Sequence, residues 1–352
     1  MRFDCIVAGS QLRYDGVWQR PHHLLTRLAE RVPVLFVEEP FIGARDSNEI
    51  TVHGGLSVLR PVRATAGDAR IDASALAAAR AWAGARRPLV WLYTPMMNEL
   101  ADAFAQAPVV YDCMDELAAF AFAPPEMQQR EAALMERAAR IFAGGRSLFA
   151  KRRALGEKVF LYPSAVEYEH FAQAPGLPPH ELLVHLRPPI CGYIGAIDER
   201  IDFEAIGALA ERDVQVVLVG PVLKIDSALL PRRANVHFTG QMEYAALPRL
   251  LAGFDVALMP FAMNDATVFI SPTKTLEYLA AGKPVVSTPI EDVIASYGDV
   301  VSIAAGSQAF ADACLAAAAR PDAARRLEGS ERARAWSWEQ LVSRMWRDLE
   351  RE

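Results

Sequence analysis

The chain predicts an α/β protein built from two doubly wound parallel sheets, and three observations carry that expectation. Short apolar runs alternate with helical patterns from one end to the other, as parallel strands joined by crossover helices do. A proline-rich interruption within residues 172–189 divides the alternation into two similar halves. The length, 352 residues, exceeds what one core usually serves at ~150 residues per domain.

In the first half the expected strands are residues 5–8, 34–38, 89–93, 109–112, 141–143 and 159–162. They are short apolar runs, as strands buried on both faces require. Leu24, Leu25 and Leu28 line one face of the first intervening helix, and the alanine-rich stretch 73–83 makes another. Residues 50–59 read as an edge hairpin broken at Gly54 and Gly55. The pattern then collapses into Gln-Ala-Pro-Gly-Leu-Pro-Pro and Arg-Pro-Pro, which reads as an interdomain linker. The second series has strands expected at 190–194, 214–219, 236–238, 256–259, 285–287 and 300–303. A final stripe of Trp336, Leu341, Met345, Trp346 and Leu349 is too apolar to leave exposed and is expected to fold back across both domains. The expected organisation is a first domain over 1–175, a linker over 176–189, a second domain over 190–335 and a closing helix over 336–352 packed toward the first domain. Ligands of doubly wound domains bind beyond the carboxyl ends of the strands, so the site is expected in a cleft between facing domains.

The richest stretch is 269–287, Phe-Ile-Ser-Pro-Thr-Lys-Thr-Leu-Glu-Tyr-Leu-Ala-Ala-Gly-Lys-Pro-Val-Val-Ser. Ser271 is expected to cap a helix with Pro272 and Thr273 in its first turn, and Gly282 to stop it before a buried strand. A helix start exposes N–H groups suited to a phosphate, and Lys274 adds a full charge. At ~1.5 Å rise per residue the Glu277 carboxylate lies about 9 Å along the axis from Ser271, in range of sugar hydroxyls. That spacing suits a nucleoside diphosphate. Lys274 and Glu277 are also three apart, the spacing of an ordinary exposed ion pair.

Composition excludes several classes. Apolar residues make 52% and charged residues 23%, a folded soluble composition, and the net charge of -6 carries no nucleic-acid footprint. Arg146, Lys151, Arg152 and Arg153 form a local basic cluster, read either as a solvated helix face or as a surface for anionic lipid. Cys5, Cys113, Cys191 and Cys314 show no paired spacing, hence neither zinc motif nor disulfide framework, and a reducing cytoplasmic compartment is expected. The amino terminus lacks a signal-peptide pattern, and no run of ~18 apolar residues offers a membrane span.

The segment 235–260, Asn-Val-His-Phe-Thr-Gly-Gln-Met-Glu-Tyr-Ala-Ala-Leu-Pro-Arg-Leu-Leu-Ala-Gly-Phe-Asp-Val-Ala-Leu-Met-Pro, together with 269–287, resembles the nucleotide-sugar glycosyltransferases of the GT-B fold, in particular the retaining family 4. The resemblance spans the second half and, more weakly, the first. It implies a GT-B fold, two Rossmann-like domains facing across a cleft, and a nucleoside diphosphate sugar as donor substrate with no other cofactor. It implies that Gly240, Gln241 and Met242 lie against the base through backbone groups, and that Glu277 holds the ribose. The stretch 195–202, Gly-Ala-Ile-Asp-Glu-Arg-Ile-Asp, is similar to the family's diphosphate loop. There Gly195 opens the loop, Ala196 stands where an Arg is expected, and Arg200 falls where a Lys is expected, with Lys274 as the replacement cation. Arg200 reads equally as a surface charge paired with Asp198 or Asp202. Phe269 stands where the family has a glutamate facing the donor sugar, and Met114 where it often has a histidine.

In the first half, Gly16 replaces a glycine-rich loop and lets backbone approach a ligand, while Trp18, Arg20, His22 and His23 open the next helix. Adjacent on a helix, His22 and His23 point about 100° apart and cannot share one ligand. Asp112 and Asp115 follow a strand and are the candidate catalytic acids, able to orient an acceptor hydroxyl or take its proton; a helix cap or a strand-end hydrogen bond explains either equally. No Asp-x-Asp pair occurs, so no metal is expected on the diphosphate. The expected activity is transfer of a sugar to a hydroxyl of a glycan or lipid-linked acceptor, with retention, at the cytoplasmic side and with peripheral membrane contact. The alternatives are a sugar-nucleotide epimerase on the same fold and a non-catalytic binding relative in polysaccharide assembly.

Overall fold

The computed structural model describes residues 1–65, 70–120, 123–223, 225–265 and 267–351. The chain divides into two compact units, one made of Met1–Pro163 with Trp338–Glu352 and one of Ser164–Ser337.

In the first unit the strands are β1 (Cys5–Ser10), β2 (Val34–Glu38), β3 (Phe41–Ile42), β4 (Ser47–His53), β5 (Leu56–Arg63), β6 (Pro88–Leu92), β7 (Val109–Cys113), β8 (Arg140–Ala143) and β9 (Val159–Leu161). They run in the order β3-β5-β2-β1-β6-β7-β8-β9, with β4 antiparallel on β5 and the other pairs parallel. Ile6 pairs with Val34 on one side and Leu89 on the other, and every residue of β1 and β2 is buried, which is why these strands read as unbroken apolar runs. The hairpin at Gly54 forms as expected and is longer; β3 was not legible because two residues carry no periodicity.

Helices α1 (Arg20–Leu28), α2 (Ala73–Ala83), α3 (Asn98–Ala103), α4 (Met127–Arg137) and α5 (Arg146–Arg152) connect these strands. Leu24, Leu25 and Leu28 are buried as predicted. Asp72 caps α2 by accepting from Ser74 N at 2.9 Å and Ala75 N at 3.0 Å.

The second unit begins with α6 (Tyr168–Ala172) and continues β10 (Ile190–Ile194), α7 (Phe203–Ala210), β11 (Gln215–Val219), β12 (Val236–Gly240), α8 (Leu247–Gly253), β13 (Val256–Met259), α9 (Lys274–Ala280), β14 (Val285–Ser287), α10 (Glu291–Tyr297), β15 (Ser302–Ile303), α11 (Ser307–Ala319) and α12 (Ala323–Arg334). The all-parallel order β12-β11-β10-β13-β14-β15 is the 3-2-1-4-5-6 arrangement of a dinucleotide-type sheet. The strand order reverses between β10 and β13.

The division at Pro163 precedes the expected boundary at 175. Phe171, Ala174 and Leu183 are buried in the second unit's core, and a Cβ on Gly253 would lie 2.7 Å from Leu183 Cδ1. The proline-rich stretch is therefore packed against α8 rather than a free spacer. The closing segment also divides: Trp336 packs on the second unit's core, while α13 (Trp338–Glu350) belongs to the first unit. Trp338, Leu341, Met345 and Leu349 are buried there, and Trp338 stacks on His23 at 4.7 Å. Among the described residues no helix is long and apolar enough to cross a membrane.

Candidate functional site

Beginning at the switch point of the second unit and running outward from it, the carboxyl ends of β10, β11 and β12 each finish on a glycine with positive φ: Gly195 at 152°, Gly220 at 140° and Gly240 at 73°. Packing also constrains two of these, Gly220 against backbone and Gly195 against a lysine stem that would have to move. A Cβ on Gly220 would collide with the Gly195 carbonyl oxygen, and one on Gly195 would collide with Lys274 Cε while lying 2.7 Å from its Nζ. Backbone bonds tie the ends together, Gly195 N donating to Val219 O at 2.8 Å and Gly220 N to Gly240 O at 2.9 Å. Gly220 was missed from sequence. Its signal was present in Val-Leu-Val-Gly220-Pro, the same strand-end grammar as Gly195.

The reading of Ser271 as the helix cap is corrected. Helix α9 starts at Lys274 with Thr273 in the capping position, no side chain caps it, and Ser271 and Pro272 precede it. Pro272 O instead accepts from Thr275 N at 3.3 Å, so the proline closes the turn before the helix. The distance estimated along a helix from Ser271 to Glu277 therefore does not apply. Helix α9 is fixed by Tyr278, whose buried hydroxyl accepts from Ile194 N at 2.8 Å at the end of β10. Lys274 is thereby carried over Gly195, its Nζ 5.7 Å from the Tyr193 ring centroid. Glu277 is half-buried one turn on. Burial pushes its carboxyl above the usual range, and the Lys274 charge and Thr273 hydroxyl pull it partly back.

Arg200 forms a bidentate pair with Asp198, Nε to Oδ1 at 2.9 Å and Nη2 to Oδ2 at 2.6 Å, while Asp202 caps α7 through Ala205 N at 2.9 Å. Of the two pairings read from sequence, the fold takes Asp198. Gly240 and Gln241 are exposed, whereas Met242 packs against the core. Phe269 is half-buried in the loop between β13 and α9.

The first unit corrects the reading of Asp112 as a catalytic acid. Its side chain is fully buried and bonded to Arg20 Nε at 2.9 Å, and Arg20 Nη1 donates to Tyr162 O at 2.7 Å. Burial raises the Asp112 carboxyl and Arg20 opposes the rise. The pair joins α1 to the end of β7 and leaves no face for an acceptor. Asp115 lies just past β7 and is half-buried. The basic cluster is corrected at Arg152 alone, which is buried between Glu116 at 2.8 Å and Glu131 at 2.9 Å, while exposed Lys151 also reaches Glu116 at 2.9 Å. Only Arg152 of the four charges is internal; Arg146, Lys151 and Arg153 are exposed, as the reading of a solvated helix face expects.

Gly16 lies in a turn, its N donating to Arg13 O at 3.1 Å. Buried Glu38 holds that loop by accepting from Tyr14 N at 2.9 Å and Arg13 Nη1 at 3.2 Å, a role sequence reasoning missed. His22 accepts from Gln19 N at its Nδ1 and donates from Nε2 to Arg13 O at 2.9 Å, and burial lowers its pKa. Both ring nitrogens are thus used within the loop.

Comparison with known proteins finds a family match within the second unit. Residues 188–320, which carry Tyr193, Gly195, Gly220, Gly240, Lys274 and Glu277, match the model described as "Glycosyl transferases group 1". This part of the chain is similar to group 1 glycosyltransferase domains. A Bacillus subtilis (strain 168) protein named as the teichuronic acid biosynthesis glycosyltransferase TuaH is 29% identical over 224 residues, covering 58% of this chain and 56% of that one. The chain thus spans little more than half the length of that curated relative. Sucrose-phosphate synthase from Thermosynechococcus elongatus superposes with TM-score 0.72 at 18% identity over 98% of this chain and 99% of the other. The Anabaena HepE protein, solved in complex with UDP and glucose, superposes with TM-score 0.72 at 15% identity over 100% of both chains. The fold is GT-B, two Rossmann-like parallel-sheet units with the group 1 match in the second.

Proposed function

We propose that this protein transfers a sugar from a nucleoside diphosphate donor to a hydroxyl of a glycan or lipid-linked acceptor, with retention of configuration and without a metal ion. The observation that carries the reading is the convergence of Gly195, Lys274 and Glu277 at the strand-order reversal of a unit similar to group 1 domains. Bare backbone there admits a diphosphate closely, and Lys274 supplies its charge. Arg200 is the second candidate cation and must exchange Asp198 for phosphate. Glu277 accepts ribose hydroxyls, and the backbone of Gly240, Gln241 and Met242 meets the base. Ser271 and Thr273 flank the phosphates from the turn before α9.

Catalysis in this reading rests on positioning and on stabilising the departing diphosphate, with Asp115 orienting the acceptor hydroxyl or taking its proton. The name of the Bacillus relative supports a polysaccharide as product. Four buried free cysteines suit a reducing, cytoplasmic setting, and peripheral contact with a membrane suits a lipid-linked acceptor.

The test is incubation with UDP-, GDP- and TDP-sugars, following release of free nucleoside diphosphate. Slow donor hydrolysis is expected from one nucleotide class and should survive EDTA. Tight binding with no turnover, with or without candidate acceptors, would favour the non-catalytic relative that Phe269 and Met114 allow. An isomerised sugar would favour the epimerase.

A further inference from the structure

Lys274 does not stand alone at the end of β10. Its ammonium lies within cation–π range of the Tyr193 ring, 5.7 Å from the centroid. Its stem crosses the Gly195 backbone so closely that any side chain there would displace it. Tyr193 is 2% exposed, its hydroxyl donates to Ala196 O at 3.0 Å, and Phe261 meets it edge-on at 6.3 Å. The ring is therefore a fixed platform, whereas a lysine side chain carries large rotamer freedom that binding must otherwise remove.

We propose that Tyr193 is a positioning residue of the donor site: its ring orders the Lys274 ammonium over the Gly195 backbone before the diphosphate arrives. The proposal rests on the donor-site reading above. It separates two roles of one tyrosine, because the ring serves the lysine while the hydroxyl serves the loop through Ala196. Tyr193→Phe keeps the first and removes the second; Tyr193→Leu removes both.

Calorimetry with UDP and uridine, and with GDP and guanosine, tests it on the full chain. Tyr193→Leu should weaken the diphosphate of the preferred pair about two- to tenfold, the scale of a cation–π contact, and leave the nucleoside unchanged. Tyr193→Phe should keep most of the affinity. In a Lys274→Met background, Tyr193→Leu should cost nothing further. Reductive ¹³C-methylation gives a reading without ligand: the Lys274 methyl resonance, assigned by its absence in Lys274→Met, should carry an upfield ring-current shift that persists in Tyr193→Phe and vanishes in Tyr193→Leu. Equal losses for nucleotide and nucleoside, or an undiminished loss in the Lys274→Met background, would overturn the proposal while leaving the donor site intact. If the wild type binds neither nucleotide, the donor reading and the positioning role fall together, and the ring-current shift reports only whether the contact exists.

Discussion

At Glu277 two opposing effects act on one carboxyl group. Burial raises its pKa above the ordinary glutamate value of 4.5, and Lys274 holds back part of that rise. A carboxyl raised in the folded state binds its proton more readily there than when unfolded. Its contribution to stability is therefore complete below pH 4.5 and is lost as pH rises through the folded value. Donor binding has the opposite sign, because only the ionised group offers both oxygens as charged acceptors to the ribose hydroxyls. Calorimetry from pH 7 downward should show nucleotide affinity falling while ordinary carboxylates are still ionised, and Glu277→Gln should flatten that dependence. Affinity at neutral pH should fall in the order wild type, Glu277→Gln, Glu277→Ala, by roughly 1.5–3 kcal/mol for the alanine. Wild-type affinity in both variants would return Glu277 to the role of an ion-pair partner. The carboxylate and the lysine were legible because charged residues beside a helix start are conspicuous. The burial of Asp112 was not legible, since its partner Arg20 is 92 positions away in sequence.

Among the elements, the strand-end glycines show how one residue type answers different needs. Gly240 needs only its positive φ, as a Cβ there would meet nothing within 4 Å. Gly220 carries both an unfavourable φ and a collision with the Gly195 backbone, which no side-chain rearrangement relieves. Gly240→Ala should cost about 1–2 kcal/mol in urea unfolding, whereas Gly220→Ala should cost more and should also weaken nucleotide binding by pushing Gly195 toward Lys274. Comparable costs for the two would mean that the contact is relieved by backbone movement. Helix α9 makes a related point. Pro and Ser before Thr-Lys suggested an earlier start, yet the proline carbonyl was used to close a turn and the helix began at Lys274. Local propensity marked the boundary region, and the packing of Tyr278 against β10 set the register.

For the whole molecule, each unit has its own sheet and its own buried side chains, so each should report its own unfolding. Trp338→Ala removes a side chain 1% exposed from the first unit and should destabilise it by about 3–5 kcal/mol. Unfolding followed by hydrogen exchange should show the loss in β1 and α1 while β10 and β13 keep their protection. Equal loss of protection in both units would make the chain one cooperative body. The prediction depends on α13 closing the first unit although it follows the whole of the second, a connection set by Trp338 on His23 and by Met1 N on Leu349 O at 2.8 Å.

The sequence by itself determined the two parallel sheets, most of the strands, the group 1 resemblance and the candidate donor residues. Those features are local or periodic: a buried parallel strand is an apolar run wherever it lies, and a strand-end glycine announces its turn. Tertiary structure alone decided that the proline-rich stretch packs with the second unit and that Arg200 is paired with Asp198. It also decided that Asp112 and Arg152 are internal ion pairs, and that Tyr193 lies under Lys274. In the long-range cases the deciding partner is distant in sequence and carries no periodic signal. Asp198 was near enough to be named beforehand, but choosing it over Asp202 required the geometry that makes Asp202 a helix cap.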